Sequence, residues 1–465
     1  MSPMRRVVVA ILAVQLAACA PDPVPTATAI TNVTVIDAVH GVRQARTVVF
    51  DGDAITAITG PGEPAPAAAQ VIDGAGRYLV PGLWDMHVHL TYDERFTAAM
   101  PAMFLRHGVT SVRDTGGLIP LLDPVIAAMR TPGAIAPRVF YSGPLQDGRF
   151  VVYDGKSRPE IGAQNATPED ARASVLTLAD HGVDFIKVYE LVSPDVFGAL
   201  VGTARERGLP VAAHVPLSMY ASQAGPAVDS MEHLRNVELD CSDNAAELYE
   251  ARLGILNAHE SGPGFELRSR LHELQRLPAI ARYDEARCAR TIASLSSTIQ
   301  VPTLRLNALA LHPPFVREDW NDALAATPAD AAAEWEQAGE DWFADDEPRD
   351  TTFAEWSLEL VGRMHAAGVP IGAGTDTPIG YAIPGYSLHT ELERLVEAGL
   401  TPLEAIAAAT IRPAEFFSLQ HEMGTIAPGM RADLVLLDAD PLADIRNSRR
   451  IATVISKGRV VEPGL

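Results

Sequence analysis

The sequence predicts an α/β fold: a (β/α)8 barrel with a small β-sandwich built from both chain ends. Three observations point there. Strand and helix patterns alternate through the middle of the chain, both ends are β-rich and broken by turn signals, and polar groups recur at the ends of the central strands. With 465 residues the chain is long enough for one large core or two domains. A doubly wound open sheet is the other architecture that the alternation allows.

Residues 1–18 read as a targeting segment. Arg5 and Arg6 supply positive charge, and the apolar stretch 7–18 is short for a membrane span. It runs into "LAAC" at 16–19, which resembles the lipobox of bacterial lipoprotein signals. The resemblance implies cleavage before Cys19, acylation of its thiol, and a periplasmic or outer-surface location. A plain secretory signal with Cys19 incidental is the alternative. Residues 19–29 then hold the lipidated cysteine and a Pro-rich linker. Export means an oxidising compartment, where Cys241 and Cys288 either pair or stay as buried thiols.

Residues 30–80 read as the N-terminal part of the sandwich, with turn signals at Asp51-Gly52 and Asp73-Gly74. Residues 418–465, with "ADLVLLDA" and "IATVISKGRVV" and its turn signal at Lys457-Gly458, read as its C-terminal part. Chain ends often lie close in space, so the two parts are expected to pair. Between them, 81–417 carries eight strand candidates: the run ending at His89, then "VTSVRDTG", "RVFYSG", "FIKVYE", "VAAHVP", "SMEHLRN", "IQVPTLR" and "IGAGTD". "TPED" from Thr167 and "TPLE" from Thr401 read as helix starts, each a capping hydroxyl, a proline and an acid. Two helical stretches, 237–298 and 306–352, exceed a minimal barrel and read as insertions.

The net charge of −22 argues against a nucleic-acid partner, which needs a basic surface. The chemistry lies at the strand ends. His87 and His89 are two apart, so on a strand they share a side. Lys187, His214, His233 and Asp376 end or interrupt other strands. A single strand histidine is more often a hydrogen-bonded core residue than a ligand, and Lys187 alone could simply reach for solvent. Six metal-capable groups at successive strand ends, which a barrel gathers at one mouth, outweigh those separate readings.

The set resembles the amidohydrolase superfamily from about residue 30 onward. "PGLWDMHVH" is similar to its first-strand signature, and "GTIAPGMRADLVLLDADPL" to the return into its small β-sandwich. "SVRDTGG" and "GTDTPIGYAIPGYSLHTELERLVEAGLTPLEAIAAAT" resemble the imidazolonepropionase-like and prolidase-like branch. The resemblance implies a distorted (β/α)8 barrel with two divalent metal ions, zinc foremost. His87, His89 and Asp376 would bind the more buried ion, and His214 and His233 the other. Lys187, carboxylated by carbon dioxide, would bridge them. A bridging hydroxide would attack a carbonyl, with Asp376 as general base and then acid, cleaving a C–N bond of a small amide or peptide-like substrate, in the manner of the dipeptidases and N-acyl amino acid amidases of that branch.

An esterase, lactonase or phosphotriesterase on the same site is the alternative, and an anchored non-catalytic scaffold is the other class. A deaminase fits less well, since no acid closely follows His214; nor does "SGPLQDGRFVVYDG" carry the histidine common in peptidase-like members. The resemblance assigns no substrate-binding residue. Arg113 could bind a substrate carboxylate, but pairing with Asp114 or another buried acid is the commoner use of such a residue. Tyr189 could donate to an oxyanion or merely pack, and His389 reads as structural.

Overall fold

The computed structural model describes residues 26–156 and 158–461, which form a mixed α/β fold. In chain order the first strands are β1 (Thr28–Asp37), β2 (Gly41–Asp51), β3 (Ala54–Thr59), β4 (Gln70–Asp73) and β5 (Tyr78–Pro81). The central ones are β6 (Leu83–Val88), β7 (Val109–Asp114), β8 (Arg138–Tyr141), β9 (Leu145–Asp147), β10 (Gly162–Gln164), β11 (Ile186–Val188), β12 (Val211–Ala213), β13 (Ser230–Glu232) and β14 (Ile299–Val301). The last are β15 (Leu434–Leu437), β16 (Ile451–Ser456) and β17 (Arg459–Val461). The expected signal sequence and Cys19 lie outside the described residues. Among those described, no helix is long and apolar enough to cross a membrane.

Both chain ends share one eight-stranded sheet, ordered β17-β16-β15-β5-β1-β2-β3, with β4 also on β1. The junction is antiparallel, with Leu434 opposite Pro81 and Leu437 opposite Tyr78. The expected turns are present. Gly52 and the pair Lys457-Gly458 take left-handed backbone conformations, which suit tight hairpins. Ile30, Val33, Phe50, Leu79, Leu434 and Ile455 close a core of their own beneath this sheet. Burying side chains of this size contributes roughly 1.5–3 kcal/mol each.

The central strands are parallel. One sheet runs β6-β7-β8, the other β10-β9-β11-β12-β13-β14. Seven of the eight expected strands are regular; the last, "IGAGTD", is not. Its backbone still joins the two sheets: Ile371 bridges Gln300 of β14, and Thr377 bridges Val88 of β6. Two glycines let it lie that close. A β-carbon at Gly374 would meet the His87 backbone nitrogen at 3.0 Å, and one at Gly372 the Met86 sulfur at 2.5 Å. At the other end, the Asp184 N–H donates to the Tyr141 carbonyl, linking β8 to the approach of β11. β9 and β10, in the loop after β8, were not foreseen.

Helices lie between the strands. Thr167 and Thr401 cap theirs in reciprocal boxes with Asp170 and Glu404. The first insertion contains helices Val237–Asp240, Ala245–Ala258, Gly264–Ala281 and Glu285–Ser294, and the second contains Trp320–Leu324 and Ala329–Ala344. The undecided cysteines are paired: a Cys241–Cys288 disulfide closes the first insertion.

Candidate metal centre

The six side chains from scattered points in the sequence line one cavity of about 400 Å³. His87 and His89 come from the end of β6, Lys187 from the middle of β11, His214 from just past β12 and His233 from just past β13. The ring centroids of His87 and His233 are 4.4 Å apart, and those of His233 and His214 are 4.7 Å apart. Asp376 Oδ1 lies 3.3 Å from His87 Nε2 and 3.2 Å from His89 Nε2. The tightest trio is His87, His233 and Asp376, whose ligating atoms lie within 4.8 Å of one another.

In every imidazole the Nδ1 edge is engaged away from the cavity. His87 Nδ1 is 2.7 Å from Glu232 Oε2, and His89 Nδ1 is 3.0 Å from the Gly116 carbonyl. His214 Nδ1 is 2.8 Å from Glu190 Oε1. His233 Nδ1 is 2.6 Å from Thr303 Oγ1, whose own proton goes to the Pro302 carbonyl. An acceptor at Nδ1 fixes the proton there and, in His87, His214 and His233, leaves Nε2 with a free lone pair, the arrangement that orients metal-binding histidines, while His89 Nε2 bonds Asp376.

The electrostatics agree. Burial pushes His87 down to about 4 and His214 to about 3, and holds His233 well below the usual histidine range, so these three are neutral near pH 7. For His89 burial also acts downward, but the hydrogen bond to Asp376 and the charge of Asp114 raise it. Burial alone would raise Asp376. The surrounding His233, His89 and His87 outweigh it and hold that carboxylate well below its ordinary range. Lys187 is fully buried and its Nζ has no hydrogen-bond partner. Burial lowers it to about 8, against the pull of Glu232. A buried amine with nothing to bond is costly, and four imidazoles with a carboxylate around one cavity form a donor set that fits divalent ions.

An apolar layer lies beneath. Phe185 is two residues before Lys187 and Ala212 two before His214, so both share their strands' inner face. A separate groove of about 760 Å³, lined by Leu118, Leu121, Val125 and Met129, shares Tyr92 with the cavity and contains no histidine.

The weaker candidates separate clearly. Arg113 faces no cavity: it donates to Glu232 Oε1 at 2.8 Å and stacks over Phe416 at 4.6 Å. Asp114 instead accepts from the Leu90 and Gly116 N–H groups. Tyr189 lines the cavity with its ring 4.4 Å from His214. His389 is spent on Ser448 and the His107 carbonyl, away from the site. Sequence reasoning missed Glu190 and Glu232, although each adjoins a chosen residue, in "VYE" and "MEH". It also missed Arg235 and Arg268, which line the same cavity.

Residues 356–461 match the amidohydrolase family. Over 411 residues the chain is 27% identical to an imidazolonepropionase of Streptomyces griseus subsp. griseus, an overlap covering 86% of this chain and 87% of that protein. The fold is similar to that of bottromycin amidohydrolase, with a TM-score of 0.69, 24% identity and coverage of 94% of this chain and 87% of that one. It is also similar to an Xaa-Pro dipeptidase crystallised with methionine in its active site, with a TM-score of 0.67, 18% identity and coverage of 94% and 100%.

Proposed function

We propose that the protein is a metal-dependent hydrolase that cleaves a carbon–nitrogen bond in a small amide or peptide-like substrate. The observation that carries this reading is the set of four imidazoles, each held at Nδ1, that line one cavity with Asp376 and a buried lysine with no partner. The family match and the imidazolonepropionase likeness support the reaction class. We read the linked parallel strands as a distorted (β/α)8 barrel spanning 81–417, and the sheet of both chain ends as the sandwich domain.

His87, His89 and Asp376 would hold one ion and His214 and His233 the other. Bound divalent ions would polarise a carbonyl and acidify water. Lys187 would serve as a ligand after adding carbon dioxide: its neutral amine would form a nitrogen–carbon bond and lose one proton, so that an anionic carbamate would replace a costly buried ammonium. Asp376 is ionised and lies against two ligand nitrogens, so its carboxylate can take a proton and return it to the departing nitrogen. Overall, water adds across the C–N bond to give an acid and an amine.

The test is metal analysis coupled to turnover. We expect two divalent ions per chain, loss of amide hydrolysis on chelation, and recovery on adding zinc. Asp376→Asn should keep most of the metal and lose about 10²–10⁴-fold in kcat. A chain that binds no metal, or an Asp376→Asn variant with undiminished turnover, would defeat the proposal. Ester and phosphotriester substrates belong in the same panel. The "LAAC" sequence supports export and tethering through Cys19; radiolabelled palmitate incorporated by the wild type and lost in Cys19→Ser checks that part.

A further inference from the structure

Two of the candidate ligand rings rest on buried carboxylates, and those carboxylates are supported from different places. Glu232, behind His87, is held by Arg113 of β7 and Ser230 of β13, each at 2.8 Å, so its support lies within the parallel sheets. Glu190, behind His214, is held otherwise. Its Oε1 accepts from His214 Nδ1 at 2.8 Å and from Arg268 at 3.3 Å, and its Oε2 accepts from His272 Nε2 at 2.5 Å. Arg268 and His272 both belong to helix Gly264–Ala281 of the first insertion. Among the described residues, Oε2 accepts no other hydrogen bond.

The surroundings of His272 make it a donor. Arg268, His272 and Arg276 are four residues apart, so they share one face of the helix. Arg276 Nη2 lies 3.2 Å from His272 Nδ1, and a guanidinium only donates. Nδ1 is therefore the accepting nitrogen. Burial pushes the ring down to about 3, so near pH 7 it is neutral and its one proton sits on Nε2, against Glu190. The helix is itself anchored. Gln275 donates to the Leu248 carbonyl at 2.7 Å, and at the helix start a β-carbon on Gly264 would meet the Val151 carbonyl oxygen at 2.5 Å. A chain of hydrogen bonds thus runs from Arg276 through His272 and Glu190 to His214. A carboxylate pinned at both oxygens fixes the plane of the imidazole it supports; one pinned at a single oxygen can turn away.

We propose that His272 is a positioning residue for the ion assigned to His214 and His233. It pins Glu190 from the insertion, so affinity for that ion depends on the insertion, whereas affinity for the ion assigned to His87, His89 and Asp376 does not. The proposal rests on the two-ion reading above, and metal binding tests it without turnover.

Zinc titration of chelator-treated protein in competition with a fluorescent chelator resolves the two affinities. His272→Leu keeps the bulk and loses the donor; it should weaken one ion about 10-fold and leave the other unchanged. His272→Gln, whose amide can still donate to Glu190, should recover most of that loss. In a His214→Asn background His272→Leu should cost nothing further, because the route to the ion is already cut. Coupling between sites is reciprocal, so hydrogen exchange of residues 264–281 in the wild type should slow when one of the two ions is added and not with the other. A folded His272→Leu that binds both ions like the wild type, weakens both alike, or loses as much affinity in the His214→Asn background would overturn the proposal. So would exchange in the wild type that neither ion changes, a result that needs no variant to fold. Each of these leaves two bound ions, and the hydrolase reading, intact. A wild type that binds fewer than two ions would defeat the two-ion reading and the proposal with it.

Discussion

Glu232 bonds three side chains at once: one oxygen takes Arg113 and Ser230, the other takes His87 Nδ1. Glu190 is shared in the same way by His214, His272 and Arg268. Neither carboxylate lines the cavity, yet each fixes a ligand ring. We expect Glu190→Gln to weaken metal binding by about 10–100-fold, as loss of a supporting partner typically does, with the fold retained. Competition against a fluorescent chelator measures this, and unchanged affinity would show that the contact is only packing. The ligands themselves were legible because polar groups at strand ends are conspicuous in an apolar pattern. Their supports were not. Alternation puts Ser230 and Glu232 on one face and His233 on the other, but the left-handed φ at His233 turns both Glu232 and His233 inward. Glu190 lies past the end of β11, where alternation no longer applies.

At the scale of elements, the strands and capped helices were readable from hydrophobic runs, Asp-Gly and Lys-Gly turns, and Thr-Pro starts. The segment 371–376 was read as a strand because it is apolar and short. Its glycines pack so closely against β6 and β14 that it pairs through single bridges instead of a ladder. The contribution of the first insertion was not readable, because its contacts are distant in sequence. Helix Gly264–Ala281 brings His272 Nε2 to 2.5 Å from Glu190 Oε2, and Arg268 and Arg276 to the cavity. The Cys241–Cys288 disulfide spans this insertion with a sequence separation of 47. Replacing both cysteines by serine should cost about 2–4 kcal/mol in chemical denaturation under oxidising conditions, and much less when the wild type is reduced first. Two titratable thiols in the unfolded, unreduced wild type would contradict the pairing.

For the whole molecule, several buried carboxyls tie stability to pH. Burial raises Asp147 to about 7, although the N–H groups of Val152, Leu191 and Gly148 favour its ionised form, and burial raises Glu391 to about 7 against those of Arg305 and Leu304. Their folded pKa values lie above the unfolded ones, so between about pH 4 and 7 the folded chain holds more protons and these groups make stability fall as pH rises. Asp147→Asn, which removes the ionisation, should therefore destabilise less at pH 8 than at pH 5 when urea midpoints are compared; equal losses would show that Asp147 titrates normally. The eight-stranded sheet has a different consequence, one of timing. The free edge of β5 is completed only by β15, so on a ribosome it waits while everything between Pro81 and Leu434 is made. At about 5–20 residues per second that wait is on the order of tens of seconds. Until then the nascent chain presents an unsealed β-edge, which makes the late arrival of the C-terminal strands the step at which chaperone holding would most improve yield.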